Sequence, residues 1–535
     1  MSRYRRSLPA LLVAVALVGS CSGGGNGTGS KSLDGAAPDD RAVTKGGDLV
    51  LALAEDADIL DPSLGRTLVG REVFINLCEK LYDIDKQLTV IPQLAAALPE
   101  TSADGLSVTI KLRTDAKFND GTPFNAAAVK KSLDRHMSIK GSARKSELGA
   151  VSAVDVVDPA TVKLTLKTPF APLAGQLADR AGMVMSPAAI DKLGENFGSA
   201  PVCVGPFSFV SRQAGNSIAL KKSTEYYDAD KVNLDTITYR IITDGNVRLA
   251  NVRSGDVQVS ERISATDVDK VQADPTVRLV TGEPLGYQGI SINIGNTAGV
   301  GEPVGKVTTP LGSSKELREA FELSLDRDVI NEVVFAGKYV PGCFPLPPGN
   351  VFLDESLTCT KRDLNAAKKI IASSGTPTPV PVELMVGTSP ENLRLGQVIQ
   401  SLAKEAGFDV KVKSTEFASA LDASDAGKYE AFQVGWSGRV DPDGNINDFL
   451  ATGGARNISG LTNPQVDKAL ATSRSASDMQ ARKAAFTEAL KISAEERPII
   501  YLFHQRNFLV STAKIAGIEF FADGLPRLKT AGRTA

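Results

Sequence analysis

The chain has 535 residues, 42% of them hydrophobic and 23% charged, with 60 Lys+Arg against 62 Asp+Glu. That length predicts about three structural units, and the composition excludes disorder over most of the chain. A formal net charge of -2 argues against nucleic acid as a partner. Only two histidines occur, His136 and His504, which leaves little for a His-built metal or acid–base centre. The five cysteines show no C-x-x-C spacing, so zinc ribbons and thioredoxin-type redox motifs are excluded.

Residues 1–20 read as a signal peptide. Arg3, Arg5 and Arg6 form a basic start, and Leu8 to Leu17 (LPALLVAVAL) is an apolar run too short to span a bilayer, which takes about 20 residues. Val18-Gly19-Ser20-Cys21 follows and resembles a bacterial lipobox, which implies lipidation of Cys21. Residues 21–45 are Gly/Ser/Asp-rich, with almost nothing to bury, and are expected to be a flexible tether. The protein is therefore expected to be exported and anchored by lipid to the outer face of the cytoplasmic membrane. Export places it where disulfides persist. Cys343 and Cys359 flank a short Pro/Gly-rich loop and are expected to pair. That leaves Cys78 with Cys203, with buried free thiols as the alternative.

Along the body, DLVLALA at residues 48–54 alternates as a strand does. A helix is expected over Glu72 to Leu81, then a strand at 107–113, a turn over Phe118 to Pro123 and a helix from Ala126 to His136. Further strands are expected at 162–167, 206–210 and 234–242. Asp244 to Val252 reads as a helix with Gly255 as its stop signal, and 288–294 as a strand. Helices are then expected at 315–336, 363–374, 391–406 and 479–493, with strands at 409–413 and 431–436 between them. This texture predicts two α/β lobes rather than one barrel.

Nine stretches in register then carry a family likeness. They are LDP at Leu60, CEKLYD at Cys78, IPQLA at Ile91, KLRTDAKFNDGTPFNAAAVKKSLDR at Lys111, GPFSF at Gly205, SGDV at Ser254, LREAFELSLDRDVI at Leu317, NPQVDKAL at Asn463 and ERPIIYL at Glu496. Together they resemble the family 5 extracellular solute-binding proteins of ABC importers, the oligopeptide-, dipeptide- and nickel-binding group. The resemblance implies an α/β, two-lobed periplasmic-binding-protein-like fold (type II, cluster C). Lobe I would hold 46–285, with an insertion subdomain at about 75–200. Lobe II would hold 286–504, and 505–535 would return to lobe I. It further implies a monomer that closes on a peptide or peptide-like solute and presents it to a membrane permease, with no cofactor and no catalysis.

Within that frame, Gly435-Trp436-Ser437-Gly438-Arg439-Val440-Asp441-Pro442-Asp443-Gly444-Asn445 is the most informative segment. Trp436, the only tryptophan, suits a flat cleft wall. Peptide binders of the family place an aspartate three residues after this tryptophan, against the peptide's amino terminus. Here that position holds Arg439, which favours a carboxylate or phosphate unless Asp441 takes over the amine. The competing structural role for Arg439 is an ion pair with Asp441 or Asp443. Glu55, Arg71 and Tyr287 are further candidates for the cleft. A binder of a metal chelate, haem or another anionic solute is the alternative. A secreted hydrolase is remote: Ser142-Ala143-Arg144-Lys145 matches S-x-x-K, but the companion K-T-G fails at Ala531 and no G-x-S-x-G occurs. The two histidines, one on an expected surface helix, make a Ser–His pair improbable by this reading.

Overall fold

The computed structural model describes residue 39 and residues 41–535. The expected signal peptide, Cys21 and most of the tether lie outside the described residues.

Two large mixed sheets organise the chain. The first has seven strands in the order Val277–Gly282, Asn507–Thr512, Val259–Glu261, Asp48–Leu53, Thr236–Ile241, Ser217–Lys222 and Phe207–Gln213. Its three central strands run parallel, so Leu53, Ile241 and Glu261 all end at one edge. In open α/β sheets that carboxyl edge is where ligands bind. The second sheet has six strands in the order Val340–Pro341, Ile499–His504, Tyr287–Ile292, Ala431–Trp436, Val380–Val386 and Phe408–Ser414. The chain passes from the first sheet to the second between Gly282 and Tyr287, and back between His504 and Asn507. A separate four-stranded antiparallel sheet (Glu100–Thr101, Ser107–Lys111, Thr161–Leu166, Val151–Asp158) packs with the helix Ala126–Ser138 around Ile110, Val129, Leu133, Val154 and Leu164.

Local signals fixed several boundaries. Asp244 caps the helix Gly245–Ser254 by accepting from the N–H of Asn246 and Val247, and Gly255 ends it at φ 87°, a conformation that suits glycine. Two expectations need correction. The helix expected over Glu72 to Leu81 spans Leu68–Leu77 instead: Thr67 caps it by accepting from Gly70 N, and Cys78 turns extended where it joins Cys203. The single helix expected at 315–336 is two, Lys315–Ser324 and Arg327–Phe335. Leu325 is extended, and Asp326 caps the second helix through Asp328 N and Val329 N. The periodicity ran through the break because both helices bury the same kind of apolar stripe.

The two disulfides are Cys78–Cys203, closing 125 residues, and Cys343–Cys359, closing 16. No helix among the described residues is long and apolar enough to cross a membrane.

Candidate ligand-binding site

The second sheet brings Tyr287 and Trp436 directly opposite each other, as antiparallel partners at one end of their strands. The crossing segment packs tightly there: a Cβ on Gly286 would stand 1.7 Å from the carbonyl oxygen of Trp436, so only glycine fits. After Trp436 the chain turns through Gly438 (φ 87°) into a loop clamped by Asn445. The Asn445 Oδ1 accepts from Trp436 Nε1 (3.0 Å) and from Arg439 N (2.7 Å), while its Nδ2 donates to Arg439 O (2.9 Å). One buried asparagine therefore fixes both the indole and the start of the Arg439 side chain.

Arg439 is 6% exposed and reaches across to the first lobe. Its Nε stands 2.5 Å from Asp179 Oδ2, an ion pair without hydrogen-bond alignment. Arg71, on the helix Leu68–Leu77, donates to the other oxygen of Asp179 (3.2 Å) and to Ser437 Oγ (3.1 Å). The alternative ion pairs considered for Arg439 do not form. Asp441 receives Arg482 Nη2 at 2.7 and 3.0 Å, and Asp443 receives Arg474 at 2.7 and 2.9 Å. Asp441 thus already has Arg482 as its cationic partner.

Around this bridge stand residues that sequence reasoning missed. Arg180 Nη1 donates to Gly65 O (2.8 Å), Arg144 Nη1 to Glu147 (2.5 Å), and Arg456 of the second lobe donates to the same Glu147 oxygen (3.1 Å). Five guanidinium groups (Arg71, Arg144, Arg180, Arg439, Arg456) thus share two carboxylates, Asp179 and Glu147. Burial alone pushes the Asp179 carboxyl up, but Arg439, Arg71, Arg180 and Arg144 outweigh it and hold the group well below the usual range. Burial, with Arg144 beside it, pulls Arg180 down to about 9. Arg439 Nη2, Arg180 Nε and Nη2 and Arg144 Nε have no hydrogen-bond partner, nor has Glu147 Oε2. Buried donors left in this way are costly and rare. These residues lie 71 to 456 positions along the chain, with no spacing motif, so nothing in the linear pattern marks them as one group.

Trp436 is half-buried rather than an open wall: Arg439 and Arg456 lie over its ring at 4.2 and 4.6 Å, and Phe449 meets it edge-on at 5.1 Å. Tyr287 is buried between Tyr501 and Phe449. Glu55 stands 3.5 Å from Arg262, apart from the arginine group. The lobes meet through Ser146–Asp448 (2.6 Å), Arg66–Asp422 (3.0 Å) and the N–H of Ala171 on Arg474 O (2.8 Å). A cavity lined by Arg71, Asp179, Arg439 and Val440 lies beside this bridge.

The Ser–His expectation also needs correction. His136 is buried, not on the surface, and its Nδ1 lies 2.9 Å from Ser63 Oγ. Its Nε2 is 3.0 Å from Met183 O. A carbonyl only accepts, so Nε2 carries the proton and Nδ1 accepts from Ser63. Ser63, His136 and Asp61 are each 0% exposed, so the pair faces no substrate.

The profile of bacterial extracellular solute-binding proteins, family 5 (middle region), matches residues 89–457. The chain is 27% identical over 490 residues to the glutathione-binding protein GsiB of Pectobacterium atrosepticum, covering 89% of this chain and 92% of that one. It is 25% identical to GsiB of Escherichia coli K12 over 532 residues, 97% of each. Among solved structures, AgaA of A. tumefaciens R10 in complex with agropinic acid shares 25% identity at a TM-score of 0.81, over 91% of this chain and 99% of that one. The oligopeptide-binding protein AppA of Bacillus subtilis superposes at a TM-score of 0.83 with 20% identity, over 92% and 100%. Its match extends the fold likeness alone. With a profile spanning more than half its length and the two-lobed frame behind it, the chain belongs to the bacterial extracellular solute-binding proteins of family 5.

Proposed function

We propose that this protein captures an anionic, peptide-like solute between its lobes and delivers it unchanged to the permease of an ABC importer. The observation that carries the reading is the cross-lobe arginine group: five guanidinium groups against two carboxylates, with four buried donor nitrogens unpaired. An excess of positive charge in a desolvated cleft is offset by a guest carboxylate, which guanidinium binds through paired hydrogen bonds. The relatives named for glutathione, and the AgaA complex with agropinic acid, support an acid as the guest. The burial of the Ser63–His136 pair supports a binder rather than an enzyme.

The working division is lobe I at 46–285 with its insertion at about 75–200, lobe II at 286–504, and a return to lobe I at 505–535. It acts as a monomer, tethered through lipid on Cys21.

Native mass spectrometry of the purified protein is expected to show a co-purified solute bearing at least one carboxylate. Calorimetry with that solute is expected to show Arg439→Ala weakening binding by about 2–5 kcal/mol, the range for truncating one partner of a buried charge pair. Unchanged affinity would make Arg439 a structural partner of Asp179 and end this reading. For the anchor, Cys21→Ser is expected to abolish incorporation of a labelled fatty acid; persistent labelling would refute it.

A further inference from the structure

One contact between the lobes is more exposed than the buried arginine group and is built differently. Arg66 stands just before Thr67, which caps the helix Leu68–Leu77 of the first lobe. Its backbone N–H donates to Asp58 Oδ2 (2.7 Å), and Asp58 Oδ1 accepts from Thr67 Oγ1 (2.8 Å), so the backbone of Arg66 is fixed within its own lobe. The preceding carbonyl, Gly65 O, accepts from Arg180 (2.8 Å) and Arg144 (3.3 Å) of the buried group. The Arg66 side chain then crosses to the second lobe. Its Nη2 donates to Asp422 Oδ1 (3.0 Å) and its Nη1 to Asp425 Oδ2.

Asp422 and Asp425 are poorly placed for the second lobe alone. They stand three residues apart in the last turn of the helix Phe417–Asp425, and that turn carries no basic residue. Carboxylates at a helix C-terminus oppose its dipole, and like charges at this spacing repel, so both features destabilise the helix end. The helix end is nonetheless held in place: Val300 N–H donates to Asp425 O (2.8 Å) and Asn296 Nδ2 to Ser424 O (3.0 Å), both from the second lobe. Among the described residues, Asp422 and Asp425 form ion pairs with Arg66 alone. Arg456 attracts Asp425 at longer range, and Asp58 attracts Arg66. Each of these lies in the same lobe as the group it attracts, so that attraction survives when the lobes part. A cation fixed by the first lobe therefore meets two acids that the second lobe accommodates only at a cost.

We propose that Arg66, Asp422 and Asp425 form an electrostatic latch that holds the two lobes together and releases them as ionic strength rises. Parting the lobes strips both acids of their cation at once and leaves the like-charged pair at the helix end. Salt reaches this group, since the side chains of Arg66, Asp425 and Asp422 are 34%, 39% and 75% exposed, whereas Asp179 and Glu147 are buried. The screening length falls from about 30 Å at 0.01 M salt to about 3 Å at 1 M, and buried pairs are screened much less. The buried bridge is then the salt-resistant hold between the lobes and the latch the salt-sensitive one. The inference rests on the two-lobed frame and not on the charge of the guest.

The test needs no guest. The full mature chain, carried as Cys21→Ser to keep it free of lipid, is measured by small-angle scattering at about 0.01 M and about 1 M NaCl. The curves are fitted as compact and open populations. The ratio of compact to open molecules is expected to fall about two- to tenfold as salt rises, the range for two exposed pairs. Arg66→Met keeps the apolar stem and is expected to show the high-salt ratio already at low salt. Asp422→Asn combined with Asp425→Asn is expected to do the same, and at these exposed positions the isosteric change leaves the fold intact even if Arg66→Met does not fold. A wild-type ratio that ignores salt overturns the latch. So does a salt response that is equal in wild type and in the double asparagine variant.

Discussion

Asp179→Asn is expected to cost the ligand-free protein about 3–5 kcal/mol, the penalty for removing one partner from a buried charge pair. The side chain keeps its shape, so the loss isolates its charge. Asp179 faces Arg71 of the first lobe and Arg439 of the second. Without its charge, five guanidinium groups keep Glu147 alone. Repulsion then acts across the cleft, with Arg71, Arg144 and Arg180 on one side and Arg439 and Arg456 on the other. The expected readouts are a lower unfolding temperature and, in small-angle scattering, a larger radius of gyration as the lobes part. A carboxylate solute is expected to recover more of the loss in the variant than it adds to wild type. The pH dependence has a definite sign. Asp179 is held well below the usual carboxylate range, so its contribution is present above about pH 4 and lost as pH falls through its own lower value. Wild type and variant should therefore converge in acid. A variant as stable and as compact as wild type at pH 7 would show that the arginines need no counter-charge.

Removing the Cys78–Cys203 disulfide is expected to cost about 5 kcal/mol, against about 3 kcal/mol for Cys343–Cys359, from the loop lengths of 125 and 16 residues. Paired Cys→Ala variants, compared by denaturant unfolding under non-reducing conditions, would give the order. A smaller loss for Cys78/Cys203 would contradict it. The larger bond also bears on the site. Cys78 directly follows the helix that carries Arg71 and Glu72, and the N–H of Glu79 donates to Val204 O at 2.7 Å beside the bond. Loosening this corner frees the helix end, so solute affinity is expected to fall along with stability.

Much of the architecture was legible locally. The apolar alternation of residues 48–54, the Asp244 cap and the Gly255 stop each report an interaction within a few residues, and each appears in the structure close to where the pattern put it. Boundaries failed where the deciding contact was distant or competed with periodicity. Cys78 turns out of its helix toward Cys203, and Asp326 restarts a helix inside a continuous apolar pattern. The candidate site divided in the same way. Trp436, Arg439 and Arg71 stood out by residue type and setting, and the structure brings them together. Arg144, Glu147, Asp179, Arg180 and Arg456 did not, because each is ordinary in its own sequence neighbourhood.

By itself the sequence determined the two-lobed α/β frame, the family and the substitution of an arginine where an acid was expected, since these rest on pattern and residue identity. Only the tertiary structure decided what that arginine does. Charge balance in a desolvated cleft depends on which groups lie within a few ångströms, and here they come from segments up to hundreds of residues apart. Asp441 and Asp443, nearest to Arg439 in the chain, are taken by Arg482 and Arg474, while Asp179 meets it from the opposite lobe.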